Sequence, residues 1–320
     1  MVTQPSRRAF LTGRRTPATP WGQFCARLSR VCVGRVRWDQ ASQVSQAWLE
    51  PARAIDVMHA QVLCSELGVQ LMLLNAEAFP DPARPILWVD SRADWSHSEL
   101  EDPGARLWRV DAGVTLGTLH QKRVGIFAED DSLRGSGLTV AQWFASPFAG
   151  NLMQSGIVQA EVLLADGTLE LLGPFGAQAR TPLRSLSLQK MIPKLFELAQ
   201  SSEAALCAHC ASWPLRYRLD ALMPQSGESL NLAWLFQGHG GSLAWLQTIW
   251  LQMPDAVSAK SAIADSLLST QGGVDKLPSA DVIQTANMLD QAIKQTLDPA
   301  GVFGQVPCAK GLESTSIHLT

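Results

Sequence analysis

No run of about 18 uninterrupted apolar residues occurs in the 320-residue sequence, so no transmembrane helix is expected. A strong charge of either sign is missing as well. The net charge is −3 at pH 7, which gives no electrostatic case for binding nucleic acid, because phosphate recognition needs a concentrated basic face. Internal repeats and low-complexity tracts are absent. The six cysteines, Cys25, Cys32, Cys64, Cys207, Cys210 and Cys308, are scattered and make no disulfide framework. Cys207 and Cys210 alone have metal-ligand spacing, and the second pair that a zinc or iron–sulfur site needs is lacking, so no metal is expected. What is present is an ordinary globular balance, 46% hydrophobic and 17% charged, with enough chain for one large domain or two modest ones.

Positive charge is nevertheless concentrated at one end. Arg7, Arg8, Arg14, Arg15, Arg27, Arg30, Arg35 and Arg37 stand among the first forty residues against a single acid, Asp39. Residues 1–37 lack a consistent apolar period and read as a flexible basic arm, suited to an acidic partner or a membrane surface. Ser6–Leu11 resembles a twin-arginine export signal. The apolar stretch of roughly 7–15 residues that should follow is replaced by Thr12–Pro17, so a cytoplasmic location is the expectation.

Beyond the arm, Ile55, Met58, Val62 and Leu63 recur at helical spacing and Gly68 marks the stop. Short apolar strands are expected at Val69–Leu74, Pro85–Asp90 and Leu107–Gly113, with a helix over Val114–Gln121. Glu161–Ala165 runs into Asp166-Gly167, a hairpin signal, and Thr168–Leu172 returns from it. Residues 182–212 and Ala280–Leu297 read as helical, with a glycine cluster at Gly238–Gly241 between them. The implied fold class is α+β, with residues 38–250 as the main domain and 251–320 as a short C-terminal helical region.

Five segments, in order across roughly residues 48–304, resemble the FAD-linked oxidase/dehydrogenase family, which has the vanillyl-alcohol-oxidase type of FAD-binding domain. Glu50-Pro51 with Ile55-Asp56-Val57 is similar to its "P-x-S-x-x-D-V" opening, and Val110–Leu119 to its "v-x-a-G-v-x-l-g-x-L" segment. Glu161–Gly167 resembles "E-V-V-L-A-D-G", Gly238–Leu243 a worn "G-S-E-G-T-L", and Leu297–Phe303 the closing "fDP-x-g-i-f". The resemblance implies a two-lobed FAD-binding domain, a small α/β lobe and a larger α+β lobe with FAD between them. Too few residues lie between Leu251 and Ala280 for the family's full cap domain. In length the chain is similar to the short glycolate dehydrogenase subunits, which work beside a second flavoprotein subunit and an iron–sulfur subunit.

The resemblance also says where the flavin should lie. Pyrophosphate is best held by backbone N–H groups, and glycine lets the backbone come close. The family's first glycine loop falls on Asn75–Phe79, which has no glycine and carries Glu77. A carboxylate about 5 Å from a phosphate charge is repelled by ~3 kcal/mol at an effective dielectric near 20. The family's second loop, "T-[IV]-G-G", falls on Thr139-Val140-Ala141-Gln142, without its glycines. Gly135 and Gly137 just upstream supply replacement amides. The expected FAD contacts are therefore Gly135, Gly137, Thr139, Val140, Ala149, Gly150, Gly156, Ile157 and Val158, with ordinary turns as the other reading of these glycines. No histidine stands in the first loop, so attachment would be non-covalent. By residue type His97, His120 and His239 are candidates for active-site chemistry, and His239 lies in the worn glycine run. Arg216, Tyr217 and Arg218 are a concentrated donor group, fit for a substrate carboxylate or for acids at an interface. The implied function is oxidation of a small hydroxy acid such as glycolate or lactate. A non-catalytic paralogue that keeps the fold as a scaffold or partner subunit is the alternative.

Overall fold

The computed structural model describes residues 19–39, 45–92, 96–128, 130–148, 152–176, 182–210, 212–223, 230–252 and 279–305. Its first helix begins where two start signals coincide. The Thr19 hydroxyl accepts the N–H of Gly22 at 3.1 Å and Pro20 takes the first turn, giving α1, Pro20–Val31. Phe24, Cys25 and Leu28 are buried against α2, Ala54–Leu67. Residues 20–37, expected as the inner part of a flexible arm, are instead this helix and the start of a strand. Only residues 1–18 of that arm lie outside the described part.

Strands β1 (Arg35–Trp38), β2 (Gln46–Glu50), β3 (Gln70–Leu73) and β4 (Ile86–Val89) form the small lobe's sheet in the order β1-β2-β4-β3. β4 runs parallel to both β2 and β3, and β1 is antiparallel to β2. Asp56 in the first turn of α2 ties the lobe's entry together. Its buried carboxylate accepts the N–H groups of Val33, Gly34, Ala52 and Arg53 at 3.0–3.3 Å. Burial pushes its pKa up, and the four N–H bonds outweigh that and hold it below the usual carboxylate value.

The large lobe is built on an antiparallel sheet. Its strands are β5 (Ser98–Asp102), β6 (Leu107–Asp111), β7 (Ile157–Leu164), β8 (Leu169–Leu172) and, after the short pair β9 (Pro174–Phe175) and β10 (Leu230–Asn231), β11 (Ala244–Gln252). The five longer strands lie in the order β5-β6-β11-β7-β8. The β7–β8 hairpin turns at Asp166-Gly167 as expected, with Gly167 at φ 84° and the Thr168 N–H on the Asp166 carboxylate at 2.8 Å. Helices α3 (Leu116–Gln121), α4 (Val140–Ala145), α5 (Leu186–Ala199), α6 (Ser202–Ala208), α7 (Leu232–Leu235) and α8 (Ala280–Leu297) complete the lobe. The architecture is the expected two-lobed α+β arrangement, and one apolar core runs through both lobes.

The segment after α8 returns to the small lobe. Asp298 accepts the N–H groups of Val302 at 2.8 Å and Phe303 at 2.9 Å, and its carboxylate pairs with the buried Lys294 at 2.6 Å. Phe303 then bridges to Leu71 of β3, and Gln305 to Phe79. Arg84 donates to the Gly301 carbonyl at 2.6 Å. The closing "DP-x-G-v-F" segment is thus a clasp between lobes.

Candidate functional site

Three separated segments meet where the lobes join: the loop after β3, helix α4 and the glycine run before β11. Thr139 caps α4 by accepting the Gln142 N–H at 3.3 Å, and the Gln142 side chain accepts the Thr139 N–H at 3.0 Å. Gln142 also donates through Nε2 to the Leu74 carbonyl of the β3 loop at 3.0 Å. Thr139 shares a hydroxyl hydrogen bond of 2.7 Å with Ser91, just past β4. The remaining amides here are engaged too: Val140 donates to Val114, Ala141 to Ala112 and Trp143 to Thr139. The second loop is therefore a capped helix N-terminus whose donors are turned inward.

The glycine run is held just as tightly. Gly238 donates to Phe144 at 2.8 Å, Gly240 to Ala145 at 2.7 Å, and Ala78 to Gly240 at 2.9 Å. Gly241 sits at φ 84° with the place of a Cβ only 3.1 Å from the Ala76 side chain, so the two loops lie one on the other. Arg216 reaches the same junction. It is paired through Nη1 with Glu77, and Nη2 lies 3.4 Å from the Ala145 carbonyl. Glu77, read from the sequence as a charge repelling phosphate, is in fact met by this guanidinium. The Nε of Arg216 is buried here without a partner. Such a group costs about 1–3 kcal/mol if left unpaired.

Behind the junction lies a buried polar network. The Tyr217 hydroxyl pairs with Ser242 at 2.8 Å, and the Ser242 hydroxyl donates to the His239 carbonyl at 2.6 Å. Lys294 donates to the Ser242 carbonyl at 2.6 Å. Asp290 of α8 accepts the backbone N–H groups of Arg216 at 2.9 Å and Tyr217 at 3.1 Å. Its burial is the stronger influence and raises its pKa to about 6. A groove of about 660 Å³ runs beside this network along α8, lined by Tyr217, Asp290, Lys294, Asp298 and Gln305 among others.

Seven of the nine expected FAD contacts lie among the described residues. Thr139 and Val140 are buried in the cap of α4. Gly135 and Gly137 stand exposed, with open space where a Cβ would be. Ala149 and Gly150 lie outside the described residues. Gly156, at φ 72°, packs against β11, where an added Cβ would lie 2.7 Å from the Gln252 carbonyl. The carbonyl of Ile157 accepts the Trp234 indole at 2.9 Å, and that of Val158 the Asn231 amide at 2.9 Å. His239 is buried, and its Nδ1 accepts the Leu243 N–H at 3.3 Å. Burial, reinforced by the charges of Arg216 and Lys294, pushes its pKa down to about 3 and favours the neutral ring. His120 bonds the Phe127 carbonyl and His97 lies exposed beside Glu99. No His, Cys, Asp or Glu cluster fit for a metal occurs among the described residues, and Cys207 is buried.

FAD can be tested against this geometry. A pyrophosphate needs several convergent N–H donors, and those of residues 139–143 are all committed within the chain. At the junction the Nε of Arg216 is buried and uncommitted.

No protein-family model matches the chain, and no curated protein does. Among solved structures it is similar to Physcomitrella patens BBE-like 1, at 11% identity over 72% of this chain and 44% of that one, TM-score 0.38. A second is the xylooligosaccharide oxidase of Myceliophthora thermophila C1, at 14% identity, 72% and 42% coverage and TM-score 0.38. The VAO-type flavoprotein MtVAO615 of the same organism is a third, at 11% identity, 65% and 32% coverage and TM-score 0.35. The chain spans less than half the length of each of these structures, and likeness of this degree reaches neither substrate nor chemistry. No helix among the described residues is long and apolar enough to cross a membrane.

Proposed function

We propose that this chain is an FAD-binding subunit of a flavin-dependent oxidoreductase. Its substrate class is a small hydroxy acid such as glycolate or lactate. Its partners are a second flavoprotein subunit and an iron–sulfur subunit, and its place is the cytoplasm. One observation supports this reading above others: the loop after β3, helix α4 and the Gly238–Ser242 run converge on a single lobe junction, where the Nε of Arg216 is buried without a partner. Ligands favour such junctions between lobes. In this reading the redox chemistry belongs to FAD, and the chain supplies position and electrostatics.

The test is the absorption of the purified protein. Bound flavin gives bands near roughly 370 and 450 nm, a property of the cofactor itself. Flavin released on denaturation should then match the protein mole for mole. Colourless protein that takes up no FAD on titration removes the reading.

A second reading, the non-catalytic scaffold or partner subunit, is favoured by the bond from Gln142 to Leu74, which spans the junction where the flavin would lie. Under it the chain purifies without colour and still associates with a flavoprotein partner.

A further inference from the structure

We propose that Arg216 is an oxyanion-binding residue and that Glu77 is its resident stand-in, a latch that an incoming phosphate or carboxylate group displaces. The proposal rests on the flavin reading only for one possible source of that oxyanion. The pair is asymmetric: the Arg216 side chain is 13% exposed, whereas Glu77 on the β3 loop is 44% exposed. A buried cation is thus met by a carboxylate that faces solvent and can swing away. The guanidinium is also underused. Of its five donors, one group bonds Glu77, another has a 3.4 Å contact with Ala145, and Nε is buried without a partner.

The surroundings suit an oxyanion. The Asp290 carboxylate is occupied by the backbone N–H groups of residues 216 and 217 and makes no hydrogen bond to the guanidinium. A fork-shaped guanidinium matches phosphate and carboxylate oxygens two at a time, which a single exposed carboxylate oxygen does not exploit fully. The occupant is therefore either the diphosphate of FAD or the carboxylate of the hydroxy acid.

The experiment measures binding by titration calorimetry for the full chain and for Glu77→Gln, alone and combined with Arg216→Met. The probes are inorganic pyrophosphate, FAD and glycolate. Removing the latch should tighten at least one of the three by about tenfold, and the gain should vanish in the double variant. Thermal unfolding checks that each variant folds. If Arg216→Met does not fold, Arg216→Lys retains the charge without the fork and should forfeit most of the gain. Equal affinities in wild type and Glu77→Gln, a gain that persists without Arg216, or no binding in any variant overturns the proposal. The two readings separate cleanly. FAD held equally by all variants removes the latch and keeps the flavin function. A gain for pyrophosphate or glycolate with no FAD binding keeps the latch and removes the flavin function.

Discussion

Gln142 joins the two lobes by giving its side-chain N–H to the Leu74 carbonyl at 3.0 Å while its side-chain oxygen accepts the Thr139 N–H at 3.0 Å. One amide thus closes a helix cap and a lobe junction together. Gln142→Ala would leave the Leu74 carbonyl and the Thr139 N–H without partners in a buried place. A loss of about 1–3 kcal/mol is expected in denaturant unfolding. Stability within a few tenths of the wild-type value would show that water replaces both bonds.

Asp56 makes acid sensitivity a property of the small lobe. Its pKa is lowered in the fold, so its contribution is fully present above the unfolded value of 3.8 and is lost as pH falls through the lower folded value. Asp56→Asn sets an NH2 group among backbone donors and should cost about 2–4 kcal/mol at neutral pH. The variant should also lose stability less steeply than wild type below pH 3.8. Unfolding midpoints measured across that range for both proteins give the comparison.

Asp290 has the opposite sign. Its pKa rises from 3.8 to about 6, chiefly because burial penalises the charge. The neutral form is favoured in the fold, so its contribution is fully present below 3.8 and declines as pH rises to about 6. Asp290→Asn should flatten the stability profile across that interval. An unchanged slope between wild type and variant would mean that the carboxyl is better hydrated than its burial indicates.

The first helix belongs to the core. Phe24 and Leu28 are wholly buried, so Phe24→Ala should cost about 3–5 kcal/mol. Removing residues 1–34 should lower the thermal midpoint sharply or prevent folding. A truncated chain that melts with the full one would return α1 to the status of an arm.

The elements legible in the sequence were those whose side chains alternate between core and solvent or sit at a turn with its own chemistry. β3, β4, β7 and α8 carry apolar runs or periods, and Asp166-Gly167 announces its hairpin without any help from distant residues. β5 escaped because it is a sheet edge exposed over most of its length and shows no two-residue apolar period, whereas β1, whose Arg35-Val36-Arg37-Trp38 does alternate, was hidden among the arginines read as an arm. α1 escaped although Trp21, Phe24, Cys25 and Leu28 stand at helical spacing, because the arginines around them were read as those of an arm. The loss of both glycines at Ala141 and Gln142 was also plain in the sequence, but what replaced them was not. The bond from Gln142 to Leu74 spans 68 residues, and the ion pair of Glu77 with Arg216 spans 139. Local sequence governs helices, strands and turns because their hydrogen bonds close within a few residues or follow a repeating pattern. A junction between lobes is closed by single side chains on unrelated segments, and only the packing of both sheets on one core decided which of them meet.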